Sequence, residues 1–265
     1  MTPAEQRSRF RAAVTRGDGP ALGTWIKIPS MEVMELVALA GFDFVVIDLE
    51  HSPISLESAH MLIGTALHTG VAPIVRVPNL DAGLAQRVLD AGAEGIMVPH
   101  VDTIDEARAA VSAVRFPPLG SRGVGSTSRA GLWGATSRGE YLRFGQEEAV
   151  LIAQIESAVG VRAARAIAGL QGVDALLVGT ADLSVSEGKP ESDPEMIALV
   201  AEVVAAARVA GKPVGNAGGA TTAAVRAAVA AGFGFTMLSN DASLLGAAAK
   251  AAVDEARAVA PLIYG

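Results

Sequence analysis

Short apolar runs alternate along this chain with longer segments whose apolar residues recur at spacings of three and four, the pattern of strands and helices in turn. The runs "LGTWIKI" (22–28), "FVVID" (44–48), "PIVRV" (73–77), "GIMVP" (95–99), "AVLIAQI" (149–155), "DALLVG" (174–179), "KPVGN" (212–216) and "FGFTMLS" (233–239) predict eight strands. Ser30 before "MEVMELVALA" and Asp81 before "AGLAQRVLDAG" stand at helix starts, where a side-chain oxygen can accept from a free backbone N–H. Gly41, Gly92, Gly211 and Gly232 stand where a helix must end before the next strand, the place of a left-handed cap. The phrases "ALAGFDF", "LDAGAEG", "RVAGKPV" and "VAAGFGF" therefore read as four copies of one αβ turn.

Eight strands alternating with helices over 265 residues predict a (β/α)8 TIM barrel, one domain spanning 1–265, with an open doubly wound sheet as the alternative. In either fold the chemistry belongs at the C-terminal ends of the strands. Two segments exceed the regular count. The stretch "RFPPLGSRGVGSTSRAGLWGATSRGEYLRFGQEE" (115–148) is longer than an ordinary connection and is expected to serve as a lid or binding loop. The Ala-rich last helix, "DASLLGAAAKAAVDEARAVA", closes the barrel or docks on a neighbouring subunit.

Composition narrows this picture. With 51% hydrophobic residues, 4% aromatic residues and 29 glycines, the core must be built by close packing of Ala, Val, Leu and Ile. A net charge of −7 leaves no basic footprint for nucleic acid. The lack of cysteine excludes disulfides, thiolate zinc sites and a cysteine nucleophile. The stretch 1–20 lacks a continuous apolar segment, and no run of about 18 uncharged apolar residues follows, so a soluble cytoplasmic protein is expected, with no membrane partner.

The strand ends carry the candidate chemistry. Lys27 follows the first strand; Asp48, Glu50 and His51 the second; Arg76 the third; and His100 the fourth. Gln154 and Glu156 follow the fifth, Thr180 and Asp182 the sixth, Asn216 the seventh, and Asn240 with Asp241 the eighth. Glu156 and Asp182 on adjacent strands suit a hard divalent cation that takes one or two carboxylates and keeps several waters. Arg76 offers a planar fork to an anionic oxygen ligand. His51, beside carboxylates, suits a base near neutral pH. Proton removal next to a polarised carbonyl would leave an enolate for the cation and Arg76 to stabilise, the chemistry of a metal-dependent aldolase.

Plainer readings stand beside these. Glu156 reads equally as a first-turn acid, Asp182 as an N-cap, and Arg76 as a buried ion-pair member. His60 and His68 read as ordinary surface or packing residues, and His100 first as structural. "RGVGS" (122–126) could cradle an anion through backbone N–H groups.

In order from about residue 20 to 250, "GFDFVVIDLEHSP", "PIVRVP", "VLDAGAEGIMVPHV", "RFPPLGSRGVG", "AQIES" and "VGTADLS" resemble the class II, metal-dependent pyruvate aldolases of the 4-hydroxy-2-oxoheptanedioate aldolase and 2-dehydro-3-deoxyglucarate aldolase family. The resemblance implies a barrel of the phosphoenolpyruvate/pyruvate type, assembled as a homo-hexamer, a trimer of dimers that swap the last helix. It implies His51 as base, Arg76 as enolate stabiliser, and Glu156 with Asp182 as ligands of Mg²⁺, Mn²⁺ or Co²⁺. Gln154, Ala181 and Asp182 would hold the pyruvyl group. Asp90 would raise the basicity of His51 from another subunit, a task that local reasoning gives to Asp48. The chain departs from the family at Thr180, at His100, where many members carry an apolar residue, and in "SVSEGKPESDPEM".

The expected activity is cleavage of 4-hydroxy-2-oxo acids to pyruvate or hydroxypyruvate plus an aldehyde, and the reverse addition. The same chemistry would decarboxylate oxaloacetate, and a non-catalytic oxo-acid-binding barrel is the rival from another class. Lys27 is the residue that would argue for a Schiff base instead.

Overall fold

The computed structural model describes residues 7–264, so the expected domain bounds reach past the described residues at both ends, and residues 1–6 of the N-terminal stretch lie outside them. Every expected strand forms: β1 (Ala21–Ile26), β2 (Phe44–Asp48), β3 (Ala72–Arg76), β4 (Gly95–Val98), β5 (Val150–Ile155), β6 (Ala175–Val178), β7 (Val214–Gly218) and β8 (Phe235–Asn240). Each pairs in parallel with the next, and β8 returns to β1 to close a barrel, which removes the open-sheet alternative.

The helices follow in chain order: α1 (Arg9–Thr15), α2 (Met31–Leu39), α3 (Leu56–Thr69), α4 (Ala82–Asp90), α5 (Ile104–Val114), α6 (Arg138–Arg143), α7 (Ala158–Gly169), α8 (Thr180–Glu187), α9 (Pro194–Val209), α10 (Thr222–Ala231) and α11 (Asp241–Tyr264). Ser30 caps α2 by accepting the Val33 N–H, and Asp81 caps α4 by accepting those of Gly83 and Leu84. Gly41, Gly92, Gly211 and Gly232 take φ values of 90°, 101°, 66° and 93°, the left-handed conformation the αβ turns require. Among the described residues no helix is long and apolar enough to cross a membrane.

Side chains alternate across each strand, so the barrel has two cores. Outward residues pack under the helices. Inward residues such as Val46, Ile74, Ile152 and Leu177 fill the barrel itself. Its floor is aromatic: Phe10 from α1 meets Phe44 and Phe235 edge to face, at centroid distances of 5.1 and 5.3 Å. Gly23 and Gly215 make room for this floor, since a Cβ there would come within 2.3 Å of the Phe44 ring and 2.2 Å of the Phe235 ring. Polar contacts fasten α1: the buried Glu94 accepts from Ser8 and from the Arg9 backbone and guanidinium, while Arg11 pairs with Asp174.

The floor closes one end, so continuing the inward alternation brings polar groups only at the other. Phe44 and Val46 lead to Asp48, Ala72 and Ile74 to Arg76, and Val150 and Ile152 to Gln154, all buried.

The insertion 115–148 forms a 3-10 turn at Arg129–Gly134, α6 and a π-helical turn at Phe144–Glu148. Arg129 binds His60 and the Ala91 carbonyl and Arg122 reaches Asp90, which ties the insertion to α3 and α4, while its first residue, Arg115, pairs with Asp174 and donates to the Gly172 carbonyl. At the far end, α11 makes its main contacts with β1 and β8. Leu245, at 62% exposure, and Val253 lie open to solvent on it.

Phe10 supplies most of the ring contact across the floor, so Phe10→Ala should lower stability by about 3–5 kcal/mol in chemical denaturation. A loss below about 1 kcal/mol would show that the floor is held by the α1 ion pairs instead.

Candidate active site at the barrel mouth

Asp48 and Arg76 end neighbouring strands and are register partners, so the fold itself sets carboxylate beside guanidinium. The pair is bidentate: Arg76 Nε donates to Asp48 Oδ1 at 3.0 Å and Nη2 to Oδ2 at 2.7 Å. Burial works against the Asp48 charge. The Arg76 guanidinium, with the backbone N–H groups of His51 and Glu50, nevertheless holds its carboxyl below the usual carboxylate range. Those N–H groups donate to Oδ1 at 3.2 and 3.1 Å. Asp48 thus orients the turn that carries His51, not the imidazole itself, which corrects the local expectation. Trp25, which the strand-end reading missed, lies flat beneath Arg76, with the guanidinium carbon 4.1 Å from the ring centroid. An inward-facing aromatic at a strand end was the available signal.

Glu50 extends the cluster. Its Oε2 lies 3.0 Å from Arg76 Nη1 and 3.7 Å from His51 Nε2, and its Oε1 lies 3.4 Å from His100 Nε2. His51 is more than half exposed at the mouth. His100 Nδ1 sits 2.8 Å from Glu156 Oε1. Lys27 is paired with Asp48 at 3.4 Å. That contact ties the Lys27 side chain to the Asp48–Arg76 pair.

Glu156 is buried, and Gln154 Nε2 donates to its Oε2 at 2.6 Å. Burial pushes the Glu156 carboxyl up against the pull of the His100 N–H and imidazole, and the neighbouring Asp182 charge adds to the rise. Gly179 leaves the space this needs, because a Cβ there would lie 2.8 Å from Glu156 Oε2. Neither plain reading of these acids holds: Glu156 precedes the cap Ser157, and Asp182 sits in the first turn of α8 after the N-cap Gly179. Asp182 and Ala181 are exposed at the mouth, and Asp182 makes no hydrogen bond or ion pair among the described residues. The first N–H groups of α8 receive no side-chain cap. The buried Gln154 Oε1 has no partner. Two repelling carboxylates and an orphaned amide oxygen fit a divalent cation with an oxygen-rich ligand. Among the described residues no group of three or more His, Asp or Glu is placed to hold a metal ion.

The structure therefore brings His51, Arg76, Gln154, Glu156, Ala181 and Asp182 to one mouth. Asp90 is elsewhere: on α4 it accepts from Arg122 Nη2 at 2.8 Å and Tyr141 Oη at 3.0 Å. Several other expectations are corrected. Asp241 is spent on the backbone N–H groups of Lys27 and Ile28, and Asn240 accepts from the Ser243 N–H as a helix cap. Asn216 is in register with the outward Val178, so it faces the helices. The "RGVGS" turn spends the Gly123 and Gly125 N–H groups on Gln86 and Tyr141, leaving no anion cradle there. His60 and His68 keep their plain reading: both lie on α3, in contact with Arg129 and with the Gly64 carbonyl.

A closed parallel barrel whose acids, bases and guanidinium meet at the strand C-termini is built as a (β/α)8 enzyme. Comparison with known proteins narrows the class: residues 21–245 match the HpcH/HpaI aldolase/citrate lyase family, and the chain belongs to it. It is an aldolase-type lyase. A hydroxypyruvate/pyruvate aldolase of Sagittula stellata is 36% identical over 247 residues, 92% of this chain and 96% of that one. A pyruvate aldolase of Rhizobium etli is 35% identical over 226 residues, 84% and 88% of the two chains. The crystal structure of a family protein from Burkholderia cenocepacia superposes with a TM-score of 0.87 at 36% identity, covering 95% of this chain and all of that one.

Asp48→Asn breaks a buried pair and should cost about 3 kcal/mol at neutral pH. Because the folded pKa of Asp48 is depressed, its contribution is present above the unfolded value and lost as pH falls through the folded one. The gap between wild type and variant in denaturation should therefore narrow from about pH 5 towards pH 3. A constant gap would mean that the pair stabilises by shape and not by charge.

Proposed function

We propose that this enzyme cleaves 4-hydroxy-2-oxo acids to pyruvate or hydroxypyruvate and an aldehyde, and catalyses the reverse addition, with a divalent cation, Mg²⁺, Mn²⁺ or Co²⁺, held by Glu156 and Asp182. The observation that carries this reading is the buried Glu156 carboxyl, raised by burial and by the neighbouring Asp182 charge, beside the unpartnered Gln154 amide oxygen. When bound, the cation supplies Lewis-acid polarisation of the 2-oxo group. Three of the five N–H donors of Arg76 are taken by Asp48 and Glu50, and the other two serve the negative charge that develops on the 2-oxo oxygen. The uncapped N–H groups at Ala181 and Asp182 suit the substrate carboxylate. His51 takes the proton from the 4-hydroxyl as the C3–C4 bond breaks, and a proton is then returned to C3.

Asp90 belongs to this reading through a second copy. The homo-hexamer, a trimer of dimers with α11 swapped, is supported by the exposure of α11 and by Leu36 and Leu39 standing open on α2. The reading takes 1–265 as one barrel domain and places it in the cytoplasm.

Pyruvate methyl protons should exchange in deuterium oxide, as followed by NMR, stop exchanging on chelation and resume when Mg²⁺ or Mn²⁺ is restored. Exchange that survives full metal removal would remove the cation from the reaction. Asp90→Asn should move the acid limb of the kcat/KM profile down by about one pH unit, because a lost carboxylate neighbour makes the imidazole less basic. An unchanged profile would leave the tuning of His51 to its own chain.

A further inference from the structure

His100 was first read as a structural residue, yet its geometry is that of a clamp. It lies two residues past β4 with φ of 54°, a left-handed backbone that non-glycine residues seldom adopt and that clusters at functional sites. This conformation brings two groups of one residue to one oxygen: the backbone N–H donates to Glu156 Oε1 at 2.7 Å, and the imidazole Nδ1 lies 2.8 Å from the same atom in an ion-pair contact. The far nitrogen, Nε2, faces Glu50 Oε1 at 3.4 Å, and Glu50 is itself held by Arg76. The imidazole is thus braced at both ends, although 63% of the side chain is open to the mouth.

We infer that His100 is a positioning residue that fixes the rotation of the Glu156 carboxylate by holding Oε1 between its backbone N–H and its imidazole, leaving Oε2, on the Gly179 side, as the oxygen offered to the cation. This rests on the reading that Glu156 holds a metal. Partners that orient a ligating carboxylate contribute roughly as much to metal affinity as a tenfold or larger change. Two of the outward neighbours are consistent with this: Gly179 keeps space open at Oε2, and Gln154 Nε2 is a neutral donor there that a cation can displace.

The test is Mn²⁺ binding to the full chain, followed by electron paramagnetic resonance with pulsed detection of nitrogen coupling. His100→Gly suits the left-handed backbone and removes the imidazole; His100→Asn suits it and keeps a side-chain donor near the Nδ1 position. His100→Gly should weaken Mn²⁺ binding about tenfold, with His100→Asn restoring most of it and no histidine nitrogen coupling in the wild type. Equal affinity in wild type and His100→Gly, while Glu156→Gln loses the metal, would overturn the clamp and leave the metal reading intact. Nitrogen coupling that disappears in His100→Gly would make the imidazole a direct ligand and overturn the positioning role. Unimpaired binding in Glu156→Gln would remove the metal reading and the clamp with it.

Discussion

The bidentate pair of Asp48 and Arg76 is the constraint on which the mouth depends. Strands about 4.8 Å apart set the two side chains opposite one another, and burial makes either charge untenable alone. Each partner then spends its remaining capacity outward. Asp48 accepts from the turn that carries Glu50 and His51. Arg76 rests on Trp25 and holds Glu50, and Glu50 reaches His100, which reaches Glu156. The chemistry is thereby pinned to the sheet, the stiffest part of the fold, although His51 and His100 lie on the segments that follow it.

The barrel gains its polarity from the asymmetry of its two ends. Phe10, Phe44 and Phe235 fill the floor around glycines that have no volume to spare, so water and polar groups have no place there. Alternation carries the interior from these rings through aliphatic residues to a carboxylate, a guanidinium and an amide. Buried charge is costly unless paired, and at the mouth the Gln154 amide oxygen has no partner, while the Glu156 carboxyl, though hydrogen-bonded, is raised by burial and further by Asp182. Those groups mark where a cation and an oxo acid would complete the site.

A second incompleteness lies on the outside. Asp90 is gripped by Arg122 and Tyr141 against the insertion, away from the histidine it is proposed to serve. A cavity of about 500 Å³ opens beside those anchors, lined by Leu67, Leu89 and the exposed Trp133, and it includes no member of the mouth cluster.

Periodicity and turn chemistry made the barrel legible in the sequence, because strand alternation, capping serines and the four glycine turns are local rules that the tertiary fold does not override. The same reading located Arg76, Gln154 and Glu156, since alternation from an apolar run fixes which side of the sheet the next polar residue takes. It failed where one residue type serves two purposes. Asp241 and Asn240 look like site groups and are backbone clamps, Asn216 faces the helices, and the "RGVGS" turn spends its amides internally. Trp25 passed unnoticed because its contact with Arg76 is made across strands. By itself the sequence determined the order of the elements and the residues at their ends. Only the closed tertiary structure decided which carboxylate meets which base, because that depends on register between strands and on a left-handed backbone at His100, neither of which is a property of neighbours in the chain.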